Sequence, residues 1–234
     1  MQIIPIVKLL SQPGIAISVK VISFDLDGTI ADSSFADAFW EEEVPALYAR
    51  KNQLSIDEAW RIVKRSYEEV GSEDIRWYQP EYWFNLFDLD EDVTEVLRRV
   101  KDRVNLFPDA LEVIEALYQK YDLIIISNAP REFIEIELEG IKDYFSASFS
   151  CTSDFGVVKK SGDAYLRVCS KIGVAPGDVL HLGDNPIFDY EVPRSIGMRA
   201  LLIDRTNDHG GSGLKDMREI LRMEPFSKDL KVKR

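Results

Sequence analysis

The sequence predicts an α/β protein, a parallel sheet covered by helices on both faces, with an all-helical block inserted after the first strand. Three observations carry this. Short apolar or β-branched runs bounded by turn signals recur at residues 19–25, 123–127, 147–152, 179–183 and 200–203 and read as buried strands. Helical spacing of apolar residues separates the later runs, the alternation that builds a parallel sheet. Residues 33–104 hold no strand pattern.

Taken in order, the first strand runs straight into the acidic turn Asp25-Leu-Asp27-Gly-Thr29. In the block that follows, Ser55-Ile-Asp-Glu58 is a capping box, in which serine and glutamate each bond the other's backbone amide. Ile56, Ala59, Trp60, Val63, Tyr67 and Val70 then share one helical face, and Val93, Val96, Leu97, Val100 and Val104 form a second stripe. Between them lies the aromatic run RWYQPEYWFNLF. Pro108 opens a helix with apolar positions at Leu111, Ile114, Leu117 and Tyr118. Ala164, Tyr165, Val168, Cys169 and Ile172 repeat at helical spacing, and Gly173 follows as the residue that closes that helix. The expected division is an α/β catalytic core of residues 19–32 and 105–234, a helical cap of residues 33–104, and an extension of unassigned role at 1–18. That extension lacks a basic start and its apolar run is broken by Pro5 and Lys8, a poor match to a signal peptide, and translation from near Val19 is one reading of it. The basic tail KDLKVKR reads as a solvated end.

The 234 residues carry a net charge of −12 and a sequence pI near 4.7. Nucleic-acid binding, which needs a basic face, is disfavoured, and no apolar run is long enough to span a bilayer. Cys151 and Cys169 have no metal-ligand spacing and read as core thiols in a reducing cytoplasm. An acidic chain that handles an anionic substrate needs a local cation. No pattern specifies an oligomeric state.

In open parallel sheets ligands bind beyond the carboxyl ends of the strands. Those ends carry Asp25 and Asp27, then Ser127 and Asn128, then Asp184 with Asp189 five residues on, while Lys159 and Lys160 precede the 163–172 helix. Residues two apart on a strand face the same way, so Asp25 and Asp27 can share a site. Two carboxylates ~4 Å apart repel by about 4 kcal/mol at an effective dielectric near 20, so a cation or protons must join them. Oxygen donors without His or Cys select a hard cation, Mg²⁺ above all. A single aspartate in such a place is most often a helix or turn cap; four at strand ends beside a serine and a lysine are not explained that way.

At these residues the chain resembles the haloacid dehalogenase-like superfamily of aspartate-nucleophile hydrolases, over residues 19–32 and roughly 105–205. DLDGT at 25–29, IISN at 125–128, a lysine at 159 or 160 and GDNPIFD at 183–189 follow the family's four motifs in order. The family often has lysine-proline in the third motif; here Lys159-Lys160-Ser161-Gly162 leaves the register open, with the count from Gly156 and Tyr165 favouring Lys159. The resemblance implies a Rossmann-like core with a helical cap. It implies that Asp25 is the nucleophile, Asp27 the general acid and base, and the lysine a charge-neutralising group. It implies a phosphate pocket of Ser127, Asn128, Gly28 and Thr29, and a Mg²⁺ site of Asp25, Asp184, Asp189 and the backbone carbonyl of Asp27.

The expected activity is Mg²⁺-dependent hydrolysis of a small phosphomonoester through an aspartyl-phosphate. Dehalogenase members attack carbon and lack an acid at the Asp27 position. A phosphomutase acting on a sugar phosphate shares the same core and stays as the alternative. Receiver domains use a similar acidic set, but they are small and uncapped, and a decayed scaffold would be missing a motif residue. The aromatic residues Trp77, Tyr78, Tyr82, Trp83 and Phe84 either line a substrate pocket or form the cap's own core. His181 reads as structural, and His209 has no evident partner.

Overall fold

A computed structural model describes residues 19–159, 162–211 and 213–231. The N-terminal extension, the start proposed near its end, and Lys160 lie outside the described residues. Five parallel strands form one sheet in the order β3-β2-β1-β4-β5, where β1 is Val21–Phe24, β2 Asp122–Ser127, β3 Ala147–Ser150, β4 Val179–Gly183 and β5 Arg199–Leu202. The central strand β1 has neighbours on both edges and is buried on both faces, in keeping with its apolar character apart from Ser23. Its backbone pairing extends past the strand, from Lys20 N–H to Asp178 at one end to Asp25 N–H on Leu182 at the other. The reading of 147–152 as strand stops two residues early because Ser150 turns to cap a helix, Cys151–Phe155, by accepting from Ser153 N–H.

Register places the rim. Phe24 lies beside Ile125 and Leu182, so Asp25, Asp184 and the Ser127-Asn128 pair leave the sheet at one edge. Two apolar clusters sandwich the sheet. One holds Val21, Ile124, Ile126 and Phe149 under the helix Asp163–Ile172, which Gly173 ends at φ 73°, the left-handed conformation expected there. The other holds Ile22, Phe24, Leu123 and Ile125 against the helix Pro108–Leu117, whose buried face is Ala110, Val113, Ile114 and Leu117. That face is rotated from the expected one: Leu111 is only partly buried and Tyr118 is exposed.

Between β1 and β2 the described chain is helical and loop. A continuous helical rod runs through Ser34–Asp37, a π-helical stretch Ala38–Glu43 and Val44–Asn52, an element with no counterpart in the sequence reading. Ile56–Val70 follows behind the Ser55/Glu58 capping box. It buries Ala59 and Val63, while Ile56, expected on the inner face, is 52% exposed. Helices Pro80–Leu86 and Val93–Val100 complete the block, the latter burying Val96, Leu97 and Val100. Phe35 and Phe39 of the rod meet Phe133 at ring distances of 5.4 and 5.1 Å, which fastens block to core. The two chain crossings run side by side: Asp32 N–H donates to Asn105, and the Asn105 amide donates to the Asp32 carboxylate at 2.6 Å. A last helix, Phe226–Lys231, takes in the start of the basic tail. No described helix is long and apolar enough to cross a membrane.

Candidate active site

The turn after β1 brings two acids to the rim. Gly28 sits at φ +75°, and a Cβ there would come within 2.3 Å of the Asp184 carboxylate, so only glycine allows this approach. Ligand atoms of Asp25, Asp184 and Asp189 lie within 4.8 Å of one another. Lys159 is buried among them, its Nζ 2.6 Å from Asp25 and 2.6 Å from Asp189, with a third bond to the Ile126 carbonyl. Lys159 is thus the described lysine that meets the acids, the register that the spacing favoured.

Beneath this pair lies a buried polar chain. Asp189 accepts from Asn185 N–H and contacts the His181 ring at 3.1 Å and the Tyr165 hydroxyl at 3.3 Å. His181 in turn pairs with Ser23 at 2.8 Å. Asp189 occupies a π-helical turn, Pro186–Glu191, and a Cβ at Gly183 would fall 2.4 Å from its own Cβ. His181 therefore does more than fill the sheet: it holds the acid that holds the lysine. The signal was present in the sequence, since Ser23 and His181 are the polar residues of two apolar strands and face each other in register.

Electrostatics follow from burial. Burial and then Asp189 push Asp25 upward against the pull of Lys159. Burial, Asp25 and Asp189 lift Asp184 to about 7. Burial alone would raise Asp189, but Lys159 and the His181 hydrogen bond hold it well below the usual carboxylate range. Lys159 shows the converse: burial would strip its proton, and the two aspartates keep it firmly charged. Burial and Asp25 lift Asp27 to about 6. Glu137, from the helix Arg131–Glu137, is wholly buried beside it, with burial and Asp27 raising its own affinity for a proton. Neither Glu137 oxygen meets an N–H or a cation among the described residues, so burial beside Asp27 favours its neutral, protonated form. Sequence reasoning missed Glu137, which in EFIEIELEG looks like one more surface acid.

Ser127 is buried and its Oγ accepts from Ala129 N–H, which leaves its proton free to donate. Asn128 accepts from Lys159 N–H through its side-chain oxygen. Thr29, expected in the phosphate pocket, is turned away: it is fully buried, does not line the cavity, and its carbonyl accepts from Arg205. The acids open into a cavity of about 710 Å³ that is roofed by Trp40, Ser72, Trp77 and Tyr78 of the helical block. The aromatic run divides. Trp77 and Tyr78 line the cavity, while Trp83 and Phe84 are buried in the block with Tyr82 packed on them. His209 also reaches the cavity wall, on the loop after β5.

This geometry matches the sequence resemblance, and comparison with known proteins decides it: residues 19–197 match the haloacid dehalogenase-like hydrolase family. The chain belongs to this family. It is 26% identical over 170 residues to the GMP/IMP nucleotidase YrfG of Escherichia coli (strain K12), covering 71% of this chain and 75% of that protein. It is 27% identical over 192 residues to the phosphoglycolate phosphatase of Shigella dysenteriae serotype 1 (strain Sd197), covering 71% and 74%. Among solved structures it is similar to a HAD phosphatase from Thermococcus onnurineus, with a TM-score of 0.78 and 27% identity over 87% of this chain and 96% of that one.

The acids of this haloacid dehalogenase-like hydrolase set a pH dependence whose sign can be worked out. Asp25, Asp27, Asp184 and Glu137 bind protons more tightly when folded, so their stabilisation is present below the unfolded carboxylate pKa and is lost as pH rises through the folded values. Asp189 acts oppositely and loses its contribution only as pH falls below the unfolded value. In EDTA the melting temperature should therefore fall by about 5 °C between about pH 5 and pH 8, and millimolar Mg²⁺ should restore it at the higher pH only. A melting temperature in EDTA that is flat or rising across that range, measured by calorimetry, would contradict the assignment.

Proposed function

We propose that this hydrolase is a Mg²⁺-dependent phosphatase of small phosphomonoesters that works through an aspartyl-phosphate on Asp25. The observation that carries this is the Asp27 carboxyl, held two residues from the nucleophile with its proton affinity lifted by burial and Asp25 to about 6, close enough to neutral pH to give up a proton and take one back. Attack on carbon needs no such acid; expulsion of an alkoxide from phosphorus does. An Asp25 oxygen attacks phosphorus while the ester P–O bond breaks, and Asp27 passes its proton to the leaving alkoxide. Water then attacks the aspartyl-phosphate, Asp27 takes its proton back, and phosphate and free Asp25 result. Ser127 donates to a phosphoryl oxygen, and Lys159 holds Asp25 in place and offsets its charge.

The donor set fits Mg²⁺: oxygen ligands alone, mutually repelling, with raised proton affinities at Asp25 and Asp184. Asp25, Asp184 and the Asp27 carbonyl would hold it. Asp189 supports the set through Lys159 and could ligate only through Oδ2, because its other oxygen already meets three donors. Bound there, Mg²⁺ would neutralise the acids and draw charge from the phosphoryl oxygens. The helical roof serves as a cap that excludes water during attack. The curated relatives named above act, by their names, on phosphomonoesters, which supports the same reading.

The test is phosphate release from a panel of small phosphomonoesters with Mg²⁺ and with EDTA. Release that EDTA abolishes is expected. Release insensitive to EDTA, or conversion of a sugar phosphate to its isomer without release, would point instead to metal-free chemistry or to a mutase.

A further inference from the structure

We infer that the cavity accepts phosphomonoesters of an uncharged alcohol bearing a flat aromatic group and hydrogen-bond donors, with Trp77 and Asp204 as specificity residues, and turns away esters that carry a second anion. This rests on the phosphatase reading and narrows its substrate.

The first argument is charge. Seven aspartates line the cavity, against Lys159 and Arg205 among the described residues. Lys159 is engaged on both sides, and Arg205 is held by Asp109 with only its buried Nε–H lacking a partner among the described residues. Lys159 sits between Asp25 and Asp189. Arg205 donates two hydrogen bonds from one nitrogen to the Asp109 carboxylate at 2.9 and 2.8 Å, donates to the Thr29 carbonyl, and lies 3.8 Å over the Phe107 ring. His209 is exposed and stands next to Asp208. A carboxylate or second phosphate on the substrate would enter among seven acids with no freely accessible cation to meet it, an arrangement that disfavours an anionic ligand.

The second argument is shape. The walls carry partly exposed rings from opposite sides: Trp40, Trp77 and Tyr78 from the helical block, Phe107 and Phe188 from the core. Trp40 is stacked on Phe133 and boxed in by Phe39 and Tyr67. Trp77 meets only the edge of Tyr67 among the described ring contacts, at 6.1 Å, and Phe188 across the cavity meets no ring there, so Trp77 is the ring of the helical block left to receive a flat group. Tyr78 is fixed by donating to the Ser72 carbonyl and lines the same cavity as Asn128 beside the phosphoryl site. A cavity of about 710 Å³ is far larger than a two-carbon acid phosphate needs and lies within the range for a nucleoside-sized ligand.

The third is an acceptor without a donor. Asp204 lines the cavity and is 97% buried; one of its oxygens takes His209 N–H, and the other has no partner among the described residues. A buried carboxylate oxygen left so is completed by an O–H or N–H of the ligand and repels an anion.

The test uses the intact protein in Mg²⁺ with inosine and uridine 5′-monophosphates, glycerol 2-phosphate, phosphoglycolate, phosphoserine and glucose 1,6-bisphosphate. The nucleoside monophosphates should exceed the esters with a second anion by about tenfold or more in kcat/KM. Trp77→Ala should lower the ratio of inosine monophosphate to glycerol 2-phosphate turnover by about tenfold, the usual weight of one stacked ring. Ser72→Lys, which supplies a spare cation on the exposed rim, should raise phosphoglycolate turnover relative to the nucleotides. Preference for phosphoglycolate or the bisphosphate, or equal losses on both esters in Trp77→Ala with no gain in Ser72→Lys, would overturn the inference while the phosphatase reading stands. Release from no ester would overturn that reading and the inference with it.

Discussion

Asp25→Asn should abolish phosphate release, lowering kcat by about 10⁴-fold or more, while the protein folds and is more stable than its parent in EDTA near pH 8. The two halves of this result have one cause. An amide oxygen is too weak a nucleophile to displace an alkoxide at phosphorus, so no aspartyl-phosphate forms. The same change removes one carboxylate from a buried cluster in which Asp25 is the charge that Asp27 and Asp184 both feel most among their neighbours. Lys159 keeps Asp189 as a counter-ion, so no buried cation is orphaned. Acid-quenched mass spectrometry during turnover checks the covalent half: a phosphoryl group should appear on the peptide that carries Asp25 and be absent from the variant. A variant with substantial release would mean that another group attacks. A variant that loses stability at high pH would mean that Asp25 is held mainly by Lys159 and that repulsion among the acids is minor.

Much of this was legible before any coordinates, for particular reasons. The strands were readable because a parallel sheet buried on both faces demands largely apolar runs, and 179–183, apolar but for His181, has bounds that agree residue for residue. The acids were readable because polar residues directly after such runs have only the rim to occupy. Capping boxes and a closing glycine carry their own local geometry, so Ser55, Glu58 and Gly173 behaved as expected. What failed were features that depend on packing between distant segments. Glu137 becomes a site residue only when its helix lays it against Asp27, 110 positions away in sequence, and helical spacing cannot distinguish that from a surface acid. Thr29 stands in the expected motif, yet the turn at Gly28 points it into the interior. The aromatic run offered two readings, wall or core, and the break at Gln79-Pro80 lets both hold: a short turn presents Trp77 and Tyr78 to the cavity, and the helix that begins at Pro80 buries Trp83 and Phe84.

Lys159→Met should cost about 3–5 kcal/mol of stability, a loss of roughly 10 °C in melting temperature, and should lower kcat by about 10²–10³-fold. Methionine fills the space of the lysine stem, so the loss measures charge and not a cavity. Removing the ammonium leaves Asp25 and Asp189 facing each other with Asp184 alongside, all without a counter-ion. The loss should be largest in EDTA near pH 8 and smaller near pH 5, where Asp184 and Asp25 can take protons instead. Mg²⁺ should recover part of the stability but little of the rate, because it cannot replace the bond that aims Asp25. Lys159→Arg should not rescue activity: a planar fork cannot take the place of a point charge that meets two carboxylates and the Ile126 carbonyl from one atom. Adding Asp25→Asn to Lys159→Met should return part of the lost stability, since it removes one of the three acids left without a counter-ion, and the non-additivity measures the coupling directly. Urea denaturation of the four proteins in the cycle, with and without Mg²⁺, gives that number. Strict additivity would mean that Lys159 and Asp25 stabilise the fold independently, and the lysine would then act on the substrate's charge alone.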